Sequence, residues 1–301
     1  MRKQRVCILG GSGFVGRNLC SQLAGAGYAI DIITRRKSHA HSLSVLPDTR
    51  IIELNVNDPQ ALNKAFSSAD VVINLIGILN ESGHDGDGFR RAHVDIARKV
   101  LNACQHSGVP RLLHMSALNA DAAYGRSHYL RSKGEAENMV LAFSDKTHVT
   151  SFKPSIIFGD GDSFFNRFAG LLKLTPWIFP LACGNARFAP IHVEEVANCF
   201  IDSINDKRTF GKAIELCGPE VYTLKELLQF TSQQIGRRHY ILNLPDGLAK
   251  LQAIILEYVP GKPFSMDNYR SLQVDSVCQG EHVFTGKHSI HSVVPGYLRR
   301  R

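Results

Sequence analysis

Tyr129 and Lys133 stand four residues apart, and Ser116 lies thirteen residues before the tyrosine. On a helix that spacing puts a phenol and an ammonium on one face. An ammonium beside a phenol favours phenolate, so the pair predicts a lowered tyrosine pKa and a proton donor usable near neutral pH. A serine hydroxyl aimed at the same point would hold a carbonyl oxygen. Pairs of this kind are common on helix surfaces, so the meaning of this one depends on its frame. Near the start of the chain, Gly10-Gly11-Ser12-Gly13-Phe14-Val15-Gly16 lies between the apolar run Val6-Cys7-Ile8-Leu9 and residues 17–26, where Leu19, Leu23 and Ala24 recur at helical spacing. A strand entering a tight turn and then a helix leaves free N–H groups facing an anion, which suits a dinucleotide pyrophosphate. Gly10 would allow the turn, Gly13 the approach of backbone to phosphate, and Gly16 the packing of helix on strand. Phe14 and Val15 lie between them and belong to the same expected cofactor contact.

The elements that must position these groups alternate along the first half. Strands are expected at 29–34, 50–54, 70–77, 112–116 and 149–153, and helices at 58–67, 90–106 and 127–143, with Asp58 capping the first of these helices. The polar, glycine-rich stretch 81–88 is expected to be a mobile loop. This βαβ succession predicts an α/β fold with a doubly wound parallel sheet whose ligand crevice lies at the carboxyl ends of the strands. From Pro154 the pattern changes. Residues 1–155 are expected to form a dinucleotide-binding domain and 156–301 a smaller α/β lobe, with parts of 188–217 returning to the first domain. His192 followed by Glu194 and Glu195 reads as a helix start. Residues 164–181, with Trp177 flanked by Arg167 and Lys173, suit either a lipid or quinone contact or the apolar wall of the second lobe; the wall is the preferred reading.

With both motifs in place, the chain resembles the short-chain dehydrogenase/reductase superfamily in its extended or atypical branch. The resemblance rests on Gly10, Gly13 and Gly16, then Ser116, Tyr129 and Lys133, then Pro154 after the sixth strand. Further segments, 114–118, 129–137, 153–159, 188–193 and 215–220, are similar to bacterial relatives of the nucleotide-binding accessory subunit of respiratory complex I. The resemblance implies a Rossmann fold, Ser116, Tyr129 and Lys133 as a catalytic triad, Lys133 also on the ribose, and Pro154 near the nicotinamide. It also implies the alternative of a nucleotide held without turnover, as in the accessory-subunit branch. Two departures matter: the Ser116–Tyr129 gap is shorter than in the sugar-nucleotide enzymes, and His93 stands where many relatives have an asparagine.

The second strand ends Thr34-Arg35-Arg36-Lys37, whereas Asp31 falls inside it. Guanidiniums at a strand end suit a 2′-phosphate through charge-assisted bonds. The expected cofactor is therefore NADP(H) in preference to NAD(H), with Arg35 the main contact and Arg36 assisting. Asn55 and Val56 are expected beside the adenine, and Ile76 and Gly77 along the pyrophosphate–ribose channel.

Composition bounds the rest. The 301 residues are 44% hydrophobic and 21% charged with a net charge of +8, an ordinary globular balance. The basic clusters (Arg2/Lys3/Arg5, Arg35 to Lys37, Arg90-Arg91 and the tail Arg299 to Arg301) come without a stacking platform, so nucleic acid is not the expected partner. Seven scattered cysteines without a Cys-x-x-Cys pair fit a reducing compartment and argue against a disulfide framework. Neither His39/His41 nor His288/His291 is joined by a carboxylate or thiol cluster, so no metal site is expected. No run approaches a bilayer span, and the first strand begins within a few residues, leaving no room for a signal peptide. The cytoplasm is the expected location, with peripheral attachment at the inner face of a membrane compatible. Two functions follow: an NADP(H)-dependent oxidoreductase acting on a carbonyl or hydroxyl of a hydrophobic or quinone-like substrate, or a non-catalytic NAD(P)H-holding protein of a respiratory or ubiquinone-biosynthetic assembly. A sugar-nucleotide epimerase or dehydratase ranks third because of the short Ser116–Tyr129 gap and the basic cofactor end.

Overall fold

The computed structural model describes residues 2–143 and 147–298; the basic tail, residues 299–301, lies outside them. The first six strands are β1 (Arg5–Leu9), β2 (Ala29–Thr34), β3 (Thr49–Glu53), β4 (Val71–Asn74), β5 (Arg111–Met115) and β6 (His148–Pro154). They lie in the order 6-5-4-1-2-3, and strands Lys212–Cys217 and Val283–Thr285 extend the sheet beyond β6. Every pairing in this eight-stranded sheet is parallel. The alternation of side chains explains the layers. Val6, Ile8, Ile30 and Ile32 face helix α1 (Phe14–Gly25) and helix Val193–Ser203, through Leu19, Leu23, Val196 and Phe200. Cys7, Leu9 and Ile33 face the other way, onto Leu62 and Phe66 of α2 (Pro59–Phe66) and Leu101 and Cys104. A strand covered on both faces has to be apolar where it is covered, and β1 is from Val6 to Leu9.

Successive strands are added on one side of β1 as far as β3 and then on its other side from β4, and this switch opens a crevice at the carboxyl ends of β1 and β4. Late strands join the sheet: Lys212–Cys217 pairs with β6, and Val283–Thr285, a strand that sequence periodicity does not reveal, pairs with Lys212–Cys217 in turn. A second core gathers Phe158, Phe165, Leu172, Phe188, Leu227, Leu228 and Tyr297. His192 is the N-cap of helix Val193–Ser203, with Glu194 and Glu195 in its first turn.

Three local expectations need correcting. The loop 81–88 is pinned rather than loose, because the buried Glu81 carboxylate accepts from Gly86 N at 2.7 Å and Gly88 N at 2.8 Å. The helix expected at 90–106 is interrupted: Arg91–Asp95 forms a π turn between Asp87–Arg90 and Ile96–Ser107. Cys217 and Cys278, 61 residues apart, form a disulfide, while Cys7, Cys20, Cys104, Cys183 and Cys199 are free. Scattered spacing hid this pair, because only the return of the chain beside Lys212–Cys217 brings residue 278 to the strand end. Among the described residues no helix is long and apolar enough to cross a membrane.

Candidate active site

Gly10 turns with φ +81 and Gly13 donates its amide to the Gly10 carbonyl at 3.0 Å, which closes the turn into α1. A Cβ at Gly16 would lie 2.4 Å from the Gly10 oxygen, so only glycine lets the helix sit this close. Gly13 caps α1 without a side-chain bond and no acidic residue lies in the first turn. The first amides of α1, at Phe14, Val15 and Gly16, therefore keep their donors for an anion. Phe14 lies against the Gly159–Gly161 turn, and Val15 packs on the sheet core. Arg17 stitches this loop to the segment after β2, donating to Ser12 O, Ser42 Oγ and His39 O; the sequence reading passed over this role.

At the end of β2, Thr34 Oγ1 bonds the Arg36 carbonyl, and the Arg35 and Arg36 guanidiniums are exposed with no partner among the described residues. Asp31 is buried between Arg5 (2.9 Å) and Arg50 (2.5 Å) and belongs to the fold. Glu53, at the end of β3, accepts the Lys37 amide at 2.6 Å. Asn55 closes its own turn by accepting Asn57 N, and Val56 is buried in the second layer.

Opposite the glycine turn, Asn74 ends β4 and organises the next residues. Its Oδ1 accepts Ile76 N at 3.2 Å, so Nδ2 points to His114 Nδ1 at 3.3 Å. His114 must then carry its proton on Nε2, which is buried without a partner. Burial, then the Lys133 charge, lowers its pKa to about 3. Gly77 is exposed, and a Cβ there would come within 3.1 Å of Lys133 Nζ and 3.5 Å of His93 Nε2. His93 projects from the π turn. Its Nε2 accepts Ile78 N at 3.1 Å, leaving the proton on Nδ1 for Ser132 Oγ at 2.8 Å, which in turn donates to the Tyr129 carbonyl. Burial first and Lys133 second push this ring down to about 2. Its neutrality is thereby fixed. Periodicity gave no sign of either histidine's role; the one local clue is that His114 interrupts the apolar run Leu112-Leu113-His114-Met115.

Helix His128–Ala142 carries Tyr129 and Lys133. Its start is capped by Ser127 Oγ on Leu130 N, and by Asp267, whose carboxylate accepts His128 N at 2.6 Å and Tyr129 N at 3.2 Å. The Tyr129 ring meets Phe89 and His93 edge-on at 5.8 and 5.5 Å. Its pKa is raised to about 12, by burial and then by Asp267, which corrects the expected lowering. The reason is that Lys133 turns its ammonium to the Met115 carbonyl at 3.0 Å. Burial lowers Lys133 to about 8 against the opposing pull of Glu137. Ser116 follows Met115, its amide on Phe152 O at 2.8 Å and its hydroxyl buried without a partner among the described residues. Pro154 ends β6, where its carbonyl accepts Leu118 N. Lys133, Gly77, His93 and Tyr129 are thus brought together at the crevice, and Lys133 reaches the residue before Ser116. A small cavity of about 140 Å³ adjoins them, lined by Glu81, Phe89, His128, Tyr258, Met266 and Asp267 among others.

Residues 6–217 match the model of the NAD dependent epimerase/dehydratase family. The chain belongs to that family. Members with this sheet order place a dinucleotide across the β1/β4 crevice. Among curated proteins, this family member is 28% identical over 277 residues to the Arabidopsis thaliana "NADH dehydrogenase [ubiquinone] 1 alpha subcomplex subunit 9, mitochondrial", covering 90% of the chain and 68% of that protein. It is 26% identical to a ceramide reductase of Caulobacter vibrioides over 80% of the chain and 74% of that protein. Among solved structures, an epimerase of Methanothermobacter thermautotrophicus superposes with a TM-score of 0.70 at 18% identity, covering 92% of this chain and 88% of that one. The epimerase shares the fold.

Proposed function

We propose that this protein is an NADP(H)-dependent reductase of a carbonyl group on a hydrophobic, lipid-like or quinone-like substrate. The observation that carries the reading is the buried Ser116 hydroxyl, left without a partner next to the Lys133–Met115 contact. A buried hydroxyl without a partner calls for an explanation, and a substrate oxygen supplies one. The glycine turn with its free amides, and the bare backbone of Gly77 over Lys133, fit a dinucleotide lying across the crevice. Bound nicotinamide supplies the hydride. Ser116 donates its hydroxyl to the carbonyl oxygen and fixes its position. Tyr129, protonated at neutral pH, is in the state that reduction requires and gives its phenolic proton to the same oxygen. Lys133 holds the ribose hydroxyls, Pro154 bounds the nicotinamide end, Ile76 lines the channel, and Asn55 and Val56 flank the adenine. Arg35 and Arg36, exposed and without a partner among the described residues, take the 2′-phosphate, while both nearby carboxylates, Asp31 and Glu53, are already engaged.

Titration of NADPH and NADH against wild type and Arg35→Ala tests the cofactor assignment. NADPH affinity should fall about tenfold or more, as expected for a charge-assisted bond, with NADH little changed. An unaltered NADPH affinity in the variant would overturn it.

A second reading has its own support in the upward shift of Tyr129 and the engagement of Lys133 with Met115. In it the protein holds NAD(P)H without turnover as an accessory of a membrane respiratory or quinone-biosynthetic assembly, as similarity to the plant mitochondrial subunit suggests. Tyr129→Phe separates the two. Loss of carbonyl reduction with unchanged cofactor affinity supports the enzyme; no turnover in wild type with any lipid ketone or quinone supports the accessory protein. Both readings are compatible with peripheral attachment at the face of a membrane.

A further inference from the structure

Helix Asp246–Glu257 hides Ala249 and Ala253 and turns Leu248, Leu251, Ile254 and Ile255 to solvent, followed by exposed Tyr258 and Val259. A surface helix normally shows the reverse arrangement, with its apolar stripe inward. Next to it, the parallel strands Ile178–Leu181 and Tyr240–Asn243 pair Ile178 with Tyr240 and Pro180 with Leu242, and all four of these face outward while Leu181 and Ile241 face the core. Gln252 of the helix donates to the Pro180 carbonyl at 3.0 Å, so helix face and strand face form one surface. Leu174 and Trp177, 84% and 85% exposed, lead into it. Residues 164–181 are therefore wall only on the side of Phe165 and Leu172; the expected apolar wall leaves its tryptophan in solvent.

The charges carried by residues 164–181 and 236–243 have one sign. Residues 164–181 and 236–243 contain Arg167, Lys173, Arg237 and Arg238 and no acidic residue. Arg237 bonds the Lys173 carbonyl at 2.8 Å, which gathers these cations beside Leu174. Among the described residues, Lys173, Arg237 and Arg238 are exposed and form no ion pair with a carboxylate. The two acids of the adjoining helix are engaged: Asp246 with Lys250 and Tyr269, Glu257 with His84. An exposed aliphatic face, amphipathic rings of Trp177, Tyr240 and Tyr258, and cations at its edge with no carboxylate partner among the described residues are what a bilayer surface selects: apolar insertion plus attraction to anionic headgroups.

We propose that this face, built from helix Asp246–Glu257, the strand pair and the Leu174–Trp177 corner, docks the protein on a membrane containing anionic phospholipid. The assignment holds whether or not the site turns over. It also gives the small cavity beside Phe89 and His128 a position at the lipid, because Tyr258 lines the cavity and ends the apolar face.

Trp177 is the single tryptophan and reports directly. The test uses the full chain with vesicles of phosphatidylcholine alone or mixed with phosphatidylglycerol, read by co-sedimentation and Trp177 emission. Wild type should sediment with the mixed vesicles, and its emission should shift to the blue. Replacing Lys173, Arg237 and Arg238 together by glutamine should weaken partitioning by about a hundredfold, at about fivefold per cation near an anionic surface. Leu251→Ser with Ile255→Ser should remove the blue shift; circular dichroism and NADPH binding report that each variant is folded. Absence of binding to mixed vesicles, binding unaffected by both variants, or a blue shift that follows protein concentration without lipid would each overturn the proposal, the last by assigning the face to a second copy of the chain.

Discussion

Two buried histidines give the site a pH dependence of known sign. His93 and His114 have pKa values lowered to about 2 and about 3, against an ordinary value of 6.5. Below pH 6.5 the unfolded chain takes up protons that the folded chain refuses, so stability is complete above 6.5 and falls as the pH drops. Each group costs about 1.4 kcal/mol per pH unit over this range. Urea unfolding at pH 7 and pH 5.5 should therefore differ by about 2.5 kcal/mol from this pair. In His114→Gln roughly half of that difference should vanish; an unchanged pH slope would show that His114 is protonated in the fold. Residue types in the sequence singled out Ser116, Tyr129 and Lys133 as the candidate set. Their electrostatics were not legible, because a pKa depends on neighbours that arrive from elsewhere in the chain. Asp267, 138 residues beyond Tyr129, raises the phenol, and a peptide carbonyl at Met115 takes the ammonium expected to lower it.

At the scale of elements, helix His128–Ala142 shows how the site is held. Ser127 is a local cap that sequence reading can find, whereas Asp267 caps the same turn from helix Met266–Ser271, itself fixed by a Ser265/Asn268 capping box. A carboxylate at a helix N-terminus gains both from the free amides and from the dipole. Asp267→Ala should lower stability by about 1 kcal/mol. It should also lower the Tyr129 pKa, read by ultraviolet titration of the phenol; an unmoved titration would show that Asp267 does not act on the ring. Strand boundaries in the dinucleotide-binding half were legible to within a few residues because buried parallel strands are uninterrupted apolar runs. The π turn at Arg91–Asp95 was not, since its periodicity is that of an ordinary helix until the extra residue is counted. That extra residue is what aims His93 at Ile78 and Ser132.

Over the whole molecule, the late return of the chain to the sheet is secured by Cys217–Cys278. The segment between them supplies Asp275, paired with Arg187 at 2.8 Å, and Ser276, whose carbonyl accepts Ser155 Oγ at 2.7 Å. Closing a loop of this length removes about 4 kcal/mol of unfolded-state entropy in the chain-entropy treatment. Cys217→Ser, or addition of reductant to wild type, should lower the Tm by several degrees. Equal Tm values with and without reductant would mean that the two thiols do not pair.

From the order of its residues alone, the chain specified a dinucleotide cradle, a parallel sheet and a serine–tyrosine–lysine set. Each of these depends on short-range spacing: glycines at a turn, apolar runs of strand length, two residues one helical turn apart. The tertiary structure alone decided the protonation of Tyr129, the neutrality of His93 and His114, the disulfide, and the exposure of the apolar helix face beside Trp177. Those properties depend on burial and on through-space charge, and both are set by residues from tens to more than a hundred positions apart that only the packed sheet and its second lobe bring within a few ångströms.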